Sequence, residues 1–507
     1  MGAMQLQALV ATSRAVAATR SRLAKRAALS DLLRQAEAAD IEILVAYLAG
    51  ELRQRRTGIG WSSLRTLPSP APGPSLGLAE IDARLQSISG LSGPGSAGLR
   101  AAAVAELFAA ATADEQDFLR RLIGGEIRQG ALDSAMLDAV AEACGVSLAR
   151  IRRAVMLRGE TGPVAVAALT GGDAAVAEFD LAVGTPVRPM LASSAPDVAA
   201  ALAKIGKGVA AGIDVKLDGI RVQAHKRGDE VRLFTRSLDD VTARLGEVVA
   251  QVRALPVAKA ILDGEVLAVG ADGRPRPFQE TAARAASHAE TVTSVSAFFF
   301  DALVLDDDVL IDVALAERLR RLDEIVAPGQ RIARIVTADV EPASRFLAEA
   351  LAAGQEGVVV KALDTPYAAG RRGAGWIKVK PRHTLDLVVL AVEWGSGRRR
   401  GLLSNIHLGA RDPGGGWVML GKTFKGMTDE MLAWQTERFL DLETSRSEHV
   451  VQVRPEQVVE IAFDGVQRST RYSGGLTLRF ARVVRYRDDK RAEEADTIDA
   501  VRAFYAG

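Results

Sequence analysis

Residues 212–221 read "GIDVKLDGIR". Lys216 stands between two aspartates, Asp214 and Asp218, with Gly219 and Arg221 close behind. Either this is an ordinary solvated loop, or the lysine is held in place to react. The next stretch, "IRVQAHKRGDEVRLFTRS", alternates and turns at Gly228-Asp229, a favoured two-residue hairpin loop. In that register Ile220, Val222 and Ala224 share a core face with Val231 and Leu233. The same register sets Arg221 directly across from Arg236. Like charges opposed in a sheet are destabilising. The pair therefore predicts an anionic or polyhydroxyl ligand between them; the plainer alternative is two arginines splayed into solvent.

Further charges sit in strands that ought to be buried. "AILDGEVLAV" carries Glu265 in an apolar run, and "GQEGVVVKA" carries Glu356 and Lys361. A strand of that texture is buried on both faces, where an unpaired carboxylate is costly. Structural salt bridges would explain one such residue; two carboxylates near a lysine suit a divalent metal with oxygen ligands. "GWIKVK" puts Lys378 and Lys380 two apart, on one strand face, which implies an anionic partner. "SAFFFDALVL" reads most simply as a core strand around Phe300.

Composition bounds the rest. The chain has 507 residues, enough for two to four domains, and a net charge of +1, so any basic surface is local. Its single cysteine, Cys144, excludes an intramolecular disulfide and a cysteine-based metal cluster, and fits a reducing cytoplasm. The first residues lack the pattern of a signal peptide, and no apolar run has the length of a membrane span. Twelve lysines face 52 arginines. The bland reading is an arginine-biased genome. The sharper one is that Lys216, Lys361, Lys378, Lys380, Lys422, Lys425 and Lys490 stand where arginine will not serve, because only lysine can become a neutral nucleophile.

Three textures follow one another. Residues 1–175 repeat alanine, leucine and arginine at helical spacing and read as an all-α domain, with a Pro/Ser/Gly-rich loop at 62–79. Through Arg65 it carries ten basic and five acidic residues, which suits a nucleic-acid module or a solvated bundle equally. The texture changes near 171–187. Residues 183–382 read as an α+β domain of strands and hairpins. Residues 383–507 show short strands between Gly-rich turns, as in "TLDLVVLAVEW", "LSNIHLGARD", "GGWVMLGKTF", "EQVVEIAFDGV" and "LTLRFARVVRYR", which predicts a small all-β barrel.

Taken together, these residues resemble the covalent nucleotidyltransferases: DNA ligases, RNA ligases and mRNA capping enzymes. "DVKLDGIR" matches their K-x-D-G motif. "FTRSLDD" with Arg236, "LDGEVLA" with Glu265, "FFFDAL" with Phe300, "EGVVVK" with Glu356 and "WIKVK" follow in the family's order. "LRFARVVRYRDDK" resembles the R-x-D-K motif at Arg487, Asp489 and Lys490. The helical first third, especially "LRRLIGGEIRQGA", is similar to the DNA-binding domain of three-domain ATP-dependent DNA ligases of archaea, eukaryotes and actinobacteria. "PVRPMLA" looks like the entry to an adenylation domain. The helical domain argues against an RNA ligase or capping enzyme. Retention of Lys216, Glu265, Glu356, Lys378 and Lys380 argues against a catalytically dead DNA-binding scaffold.

The resemblance implies an α+β adenylation domain followed by an OB-fold. It implies ATP and Mg²⁺, with Mn²⁺ as a substitute metal, and nicked duplex DNA as substrate. It also implies a cytoplasmic monomer, with a sliding clamp or other repair proteins as candidate partners. Lys216 would attack the α-phosphorus of ATP, pass AMP to the 5′-phosphate at a nick, and leave the 3′-hydroxyl to expel AMP. Arg221 and Arg236 would hold ribose and sugar-phosphate, and Phe300 would stack on adenine. Glu265 and Glu356 would bind the metal directly or through water. Arg372 and Lys378 would grip the phosphates, Lys378 at the α-phosphate, with Lys380 also in the nucleotide site. Arg487, Asp489 and Lys490 would orient pyrophosphate. Asp214 stands where these ligases commonly have a Glu that contacts adenine. A free lysine has a pKa near ~10.4, so the nucleophile needs burial and neighbouring cations to outweigh Asp214 and Asp218.

Overall fold

The computed structural model describes residues 4–54, 57–127, 132–270, 276, 278–286, 294–368, 372–396 and 399–505. Helices from Leu6–Ala18 to Thr161–Ala177 build the first third around buried Leu6, Leu9, Leu44, Tyr47, Phe108, Leu119 and Ile151. The helix Ala113–Ile123 shows why the local sequence suffices. Thr112 and Glu115 form a capping box, Asp114 and Glu115 lie in the first turn, and Arg120 and Arg121 in the last, each sign at the favourable end of the dipole. Part of the "LRRLIGGEIRQGA" stretch, residues 128–131, lies outside the described residues. The last helix continues through the change of texture near residue 171, with a kink at Gly172, where φ is 62°. Among the described residues no helix is long and apolar enough to cross a membrane.

The chain then crosses to the second region along a strap held by side chains. Gly184 N–H donates to His225 Nδ1 (2.9 Å), and Gln223 bonds both the N–H and the carbonyl of Val187 at 2.8 and 3.2 Å. Burial keeps His225 neutral, with its pKa pushed down to about 3.

The middle region holds two five-stranded sheets. One has the order β1 (Leu191–Ala195), β10 (Arg372–Val379), β9 (Gly357–Ala362), β2 (Ala211–Lys216) and β8 (Arg334–Thr337). The other runs β4 (Glu230–Thr235), β3 (Ile220–Arg227), β5 (Lys259–Ala268), β6 (Val295–Leu305) and β7 (Asp308–Val309). The β3–β4 hairpin has the expected register: Val222 pairs with Thr235 and Arg227 with Glu230. Val222, Ala224, Val231 and Leu233 lie in the core, with Ile220 packed against it.

The C-terminal region is all-β apart from short helical turns and one helix, Asp429–Asp441. Its seven-stranded sheet orders β13 (Trp417–Thr423), β12 (Leu403–Arg411), β11 (His383–Trp394), β15 (Val450–Val453) and β14 (Glu443–Arg446); β16 (Val458–Phe463) pairs with β11 and with β19 (Arg482–Tyr486). A separate hairpin joins β17 (Gly465–Arg468) to β18 (Leu476–Arg479). The domain is OB-like, but among the described residues the strands do not close into the expected barrel. The helix was not anticipated, although Thr428 before Asp429-Glu430 is a capping signal.

Candidate active site

Residues of both middle sheets and of the C-terminal domain line one cavity of about 1050 Å³. Lys216 reaches it from the last position of β2. The chain bends at Leu217–Gly219 before β3 begins, and Gly219 is required there. A Cβ on it would lie 2.5 Å from the Val266 carbonyl oxygen and 2.8 Å from Glu265 Cγ. This approach brings Glu265, on β5, to the lysine loop. Gly357 serves the same end with a positive φ of 143°, and Glu356 N–H donates to the Lys216 carbonyl at 3.0 Å. The Glu356 carboxylate is ion-paired with both Lys216 and Lys380.

The electrostatics divide the site. Burial pushes the Glu265 carboxyl up to about 7, only partly countered by Lys216 and Arg221. Lys378 is held below the usual lysine range by burial and by the like charges of Lys380 and Lys216. No ion pair or hydrogen bond is made by the Lys378 side chain among the described residues. Lys380 is half-buried, yet Glu356 and Asp464 hold it charged above its usual range.

At the other end lies an aromatic slot. Phe300 on β6 and Trp376 on β10 stand edge to face at 5.7 Å, with Lys361 Nζ 4.5 and 4.4 Å from their ring centres. The Trp376 indole N–H is buried and has no partner among the described residues. Asp214 lies at this end, on the cavity lining, but its carboxylate is already occupied. It accepts from Arg334 Nη2 at 3.0 Å and pairs with Lys361 at 2.6 Å. Burial would raise its pKa; Lys361 and Arg334 overcome that and hold it below the usual carboxylate range.

Arg221 also has a different partner from the one expected. It does line the cavity, but its side chain turns to Asp263, with Nε–Oδ1 2.9 Å and Nη2–Oδ2 2.6 Å, and also donates to the Met190 carbonyl (2.6 Å) and Tyr367 Oη (3.2 Å). A buried carboxylate is a stronger attraction than an open site, so Arg221 forms a wall of the slot, 5.5 Å from the Phe300 ring centre. The strand ladder ends at Val222–Thr235, and Arg236 beyond it is exposed at the cavity edge.

Arg372 opens β10, but its side chain lies outside the described residues. Arg487, Asp489 and Lys490 are not on the cavity lining. Arg487 Nη1 and Lys490 Nζ hold Asp386 at 2.9 and 2.6 Å, and Arg487 also grips Asp489. The C-terminal domain presents Lys425, Asp464, Arg479, Phe480 and Arg482 to the cavity instead. Arg479 pairs with Asp218 at 2.5 Å. These partners were missed because they lie hundreds of residues from the lysine. The two charged groups in "IAFDGV" and "LTLRF" beside buried strand ends were the available signal.

A half-buried lysine on a cavity with a flat aromatic slot at one end and lysines at the other defines a nucleotide site built for covalent transfer. Comparisons narrow the class. Residues 63–141 match the family model described as "DNA ligase N terminus", 189–380 "ATP dependent DNA ligase domain" and 399–490 "ATP dependent DNA ligase C terminal region". The chain is 67% identical over 510 residues to a "Probable DNA ligase" of Beutenbergia cavernae, covering 99% of each chain. It is 61% identical over 509 residues to a "Probable DNA ligase" of a Nocardioides species, again 99% of each. A solved structure titled "Pmar-Lig_PreS3" shares the fold with a TM-score of 0.65 at 19% identity, over 94% of this chain and 99% of that one. The chain belongs to the ATP-dependent DNA ligase family. Its reaction is the sealing of nicks in DNA through an adenylate intermediate, with ATP as the donor.

Proposed function

We propose that Lys216 is the nucleophile of that reaction and that the cavity is its adenylation site. The supporting observation is the placement of Lys216 between an aromatic slot at one end and Glu356, Lys378 and Lys380 at the other. Adenine enters between Phe300 and the facing β9 wall at Val359. Lys361 Nζ and the Trp376 indole N–H offer donors to its ring nitrogens, so Lys361 rather than Asp214 reads the base. Asp214 acts through Lys361, by holding it charged.

Lys378 neutralises charge on the transferring α-phosphoryl group, and Lys380 neutralises charge on the departing pyrophosphate. Lys216 gives up an ammonium proton to solvent, and its neutral Nζ forms the bond to Pα. Pyrophosphate leaves with the electrons of the Pα–O bond, and the nitrogen sheds a second proton to water to give the phosphoramide. Arg236, exposed at the edge, takes sugar-phosphate. Arg372 belongs to the same phosphate grip. Arg487, Asp489 and Lys490 reach pyrophosphate only after the C-terminal domain turns about residues 381–383.

The donor set fits Mg²⁺. Glu356 lies close enough to help raise the Glu265 carboxyl, and two carboxylates with substrate phosphates suit an ion that keeps several waters. Such an ion would supply charge neutralisation at the phosphates, and Mn²⁺ would serve similarly. We assign residues 1–175 to DNA binding, 183–382 to adenylation and 383–507 to the OB-like domain. The enzyme works as a cytoplasmic monomer on nicked duplex DNA, with a sliding clamp or other repair proteins as candidate partners. Incubation with labelled ATP and Mg²⁺, then with nicked DNA, tests this: label should pass to Lys216 and then to the 5′-phosphate.

A further inference from the structure

Five carboxylates line the cavity: Asp214, Asp218, Glu265, Glu356 and Asp464. Four come from the middle region; Asp464 alone comes from the C-terminal domain, among the described residues. Its place is fixed by the fold. Phe463, at the end of β16, is fully buried, and the Asp464 N–H donates to the Arg479 carbonyl at 3.0 Å. Asp464 and Arg479 are therefore neighbours on one face of the C-terminal domain. Each crosses the gap to an opposite charge. Asp464 Oδ2 lies 3.1 Å from Lys380 Nζ, and Arg479 Nη1 lies 2.5 Å from Asp218. Arg482 stands 3.5 Å behind Asp464.

This seating has a direct cost for one substrate state. Lys380 belongs to the end of the cavity where the β- and γ-phosphates of ATP must lie, and Asp464 occupies it. A triphosphate there meets a carboxylate of like charge at short range, whereas AMP on Lys216 leaves that end empty. In the same seating Arg487 and Lys490 are bound to Asp386, out of reach of the cavity. The arrangement fits an enzyme whose pyrophosphate has already gone.

Resting on the adenylation site proposed above, we propose that Asp464 is a positioning residue that seats the C-terminal domain only once pyrophosphate has left, by taking over Lys380 from the departing phosphates. ATP and Asp464 compete for one ammonium group, and the winner sets which face of the domain meets the site.

The test uses the full chain with Asp464→Asn, which keeps the shape and removes the charge, and Asp464→Glu, which keeps the charge. Two reactions are timed: lysyl-AMP formation against ATP concentration, and single-turnover sealing of a nick whose 5′-phosphate is already adenylated. Asp464→Asn should lower the KM for ATP and slow sealing of the adenylated nick, each by on the order of 3- to 10-fold. Asp464→Glu should restore both. Equal losses in both reactions, a raised KM for ATP, or no change in either would overturn the role of Asp464. A wild-type chain that takes up no AMP would instead overturn the site itself.

Discussion

Lys216 and Glu356, 140 residues apart in the chain, are joined twice: by an ion pair between their side chains and by a hydrogen bond from Glu356 N–H to the Lys216 carbonyl. The carboxylate thus holds the nucleophile while also holding Lys380. A lysine held in this way is positioned but engaged, and the incoming charges of substrate and metal must release it.

Glu356→Gln should therefore keep the backbone bond and lose the charge. We expect lysyl-AMP formation to fall by roughly 10²–10³-fold, the scale of removing one group that stabilises charge in the transition state. The thermal midpoint should change little. The rate of AMP incorporation beside a melting curve decides between this and mere unfolding.

Asp214 is the centre of a buried network with Arg334 and Lys361. Asp214→Ala leaves two buried cations without their carboxylate and should cost about 3–5 kcal/mol in unfolding free energy. Lys361→Met removes a charge and a base-reading donor. It should raise the KM for ATP by about 10-fold with a smaller effect on kcat, as expected for one lost hydrogen bond from a charged group. Denaturant titration checks the first outcome and ATP-dependent adenylation kinetics the second.

Glu265 gives a pH signature. Its ordinary pKa of 4.5 is raised to about 7 in the folded protein. Between those values the unfolded chain releases the proton first, so folding stability must fall as pH rises from about 4.5 through 7 and level off above. Glu265→Gln lacks this loss. Its stability relative to wild type should grow by about 2 kcal/mol over that window, a figure discounted from the full shift because the carboxylate opens on the cavity. Mg²⁺ should bind more tightly as pH rises through 7, with proton release. Denaturation at stepped pH and calorimetry in two buffers measure these effects.

Much of the site was legible because its signals are local. The spacing in "GIDVKLDGIR" puts Lys216 at a strand end, and the Gly228-Asp229 turn sets the hairpin register. Glu265 and Glu356 stood out as charges in buried strands. What spacing does not encode is which distant group claims a side chain. Arg221 was expected to face Arg236 across a ligand, yet Asp263, on the next strand, takes it. Asp214 was expected at adenine, yet Lys361 and Arg334 hold its carboxylate. Arg487 and Lys490 were expected at pyrophosphate, a role that depends on domain orientation rather than on any residue pattern. Among the described residues the C-terminal strands likewise do not close into a barrel, and closure is something alternation does not specify.

The central claim is that AMP is carried on Lys216, and the most direct measurement is covalent labelling of the protein by α-labelled ATP in wild type and Lys216→Ala. Wild type should take up label that peptide mapping places on Lys216, and should pass it to a nicked duplex. Lys216→Ala should take up none, yet still seal a nick that is already adenylated. A Lys216→Ala protein that becomes adenylated from ATP would contradict the account.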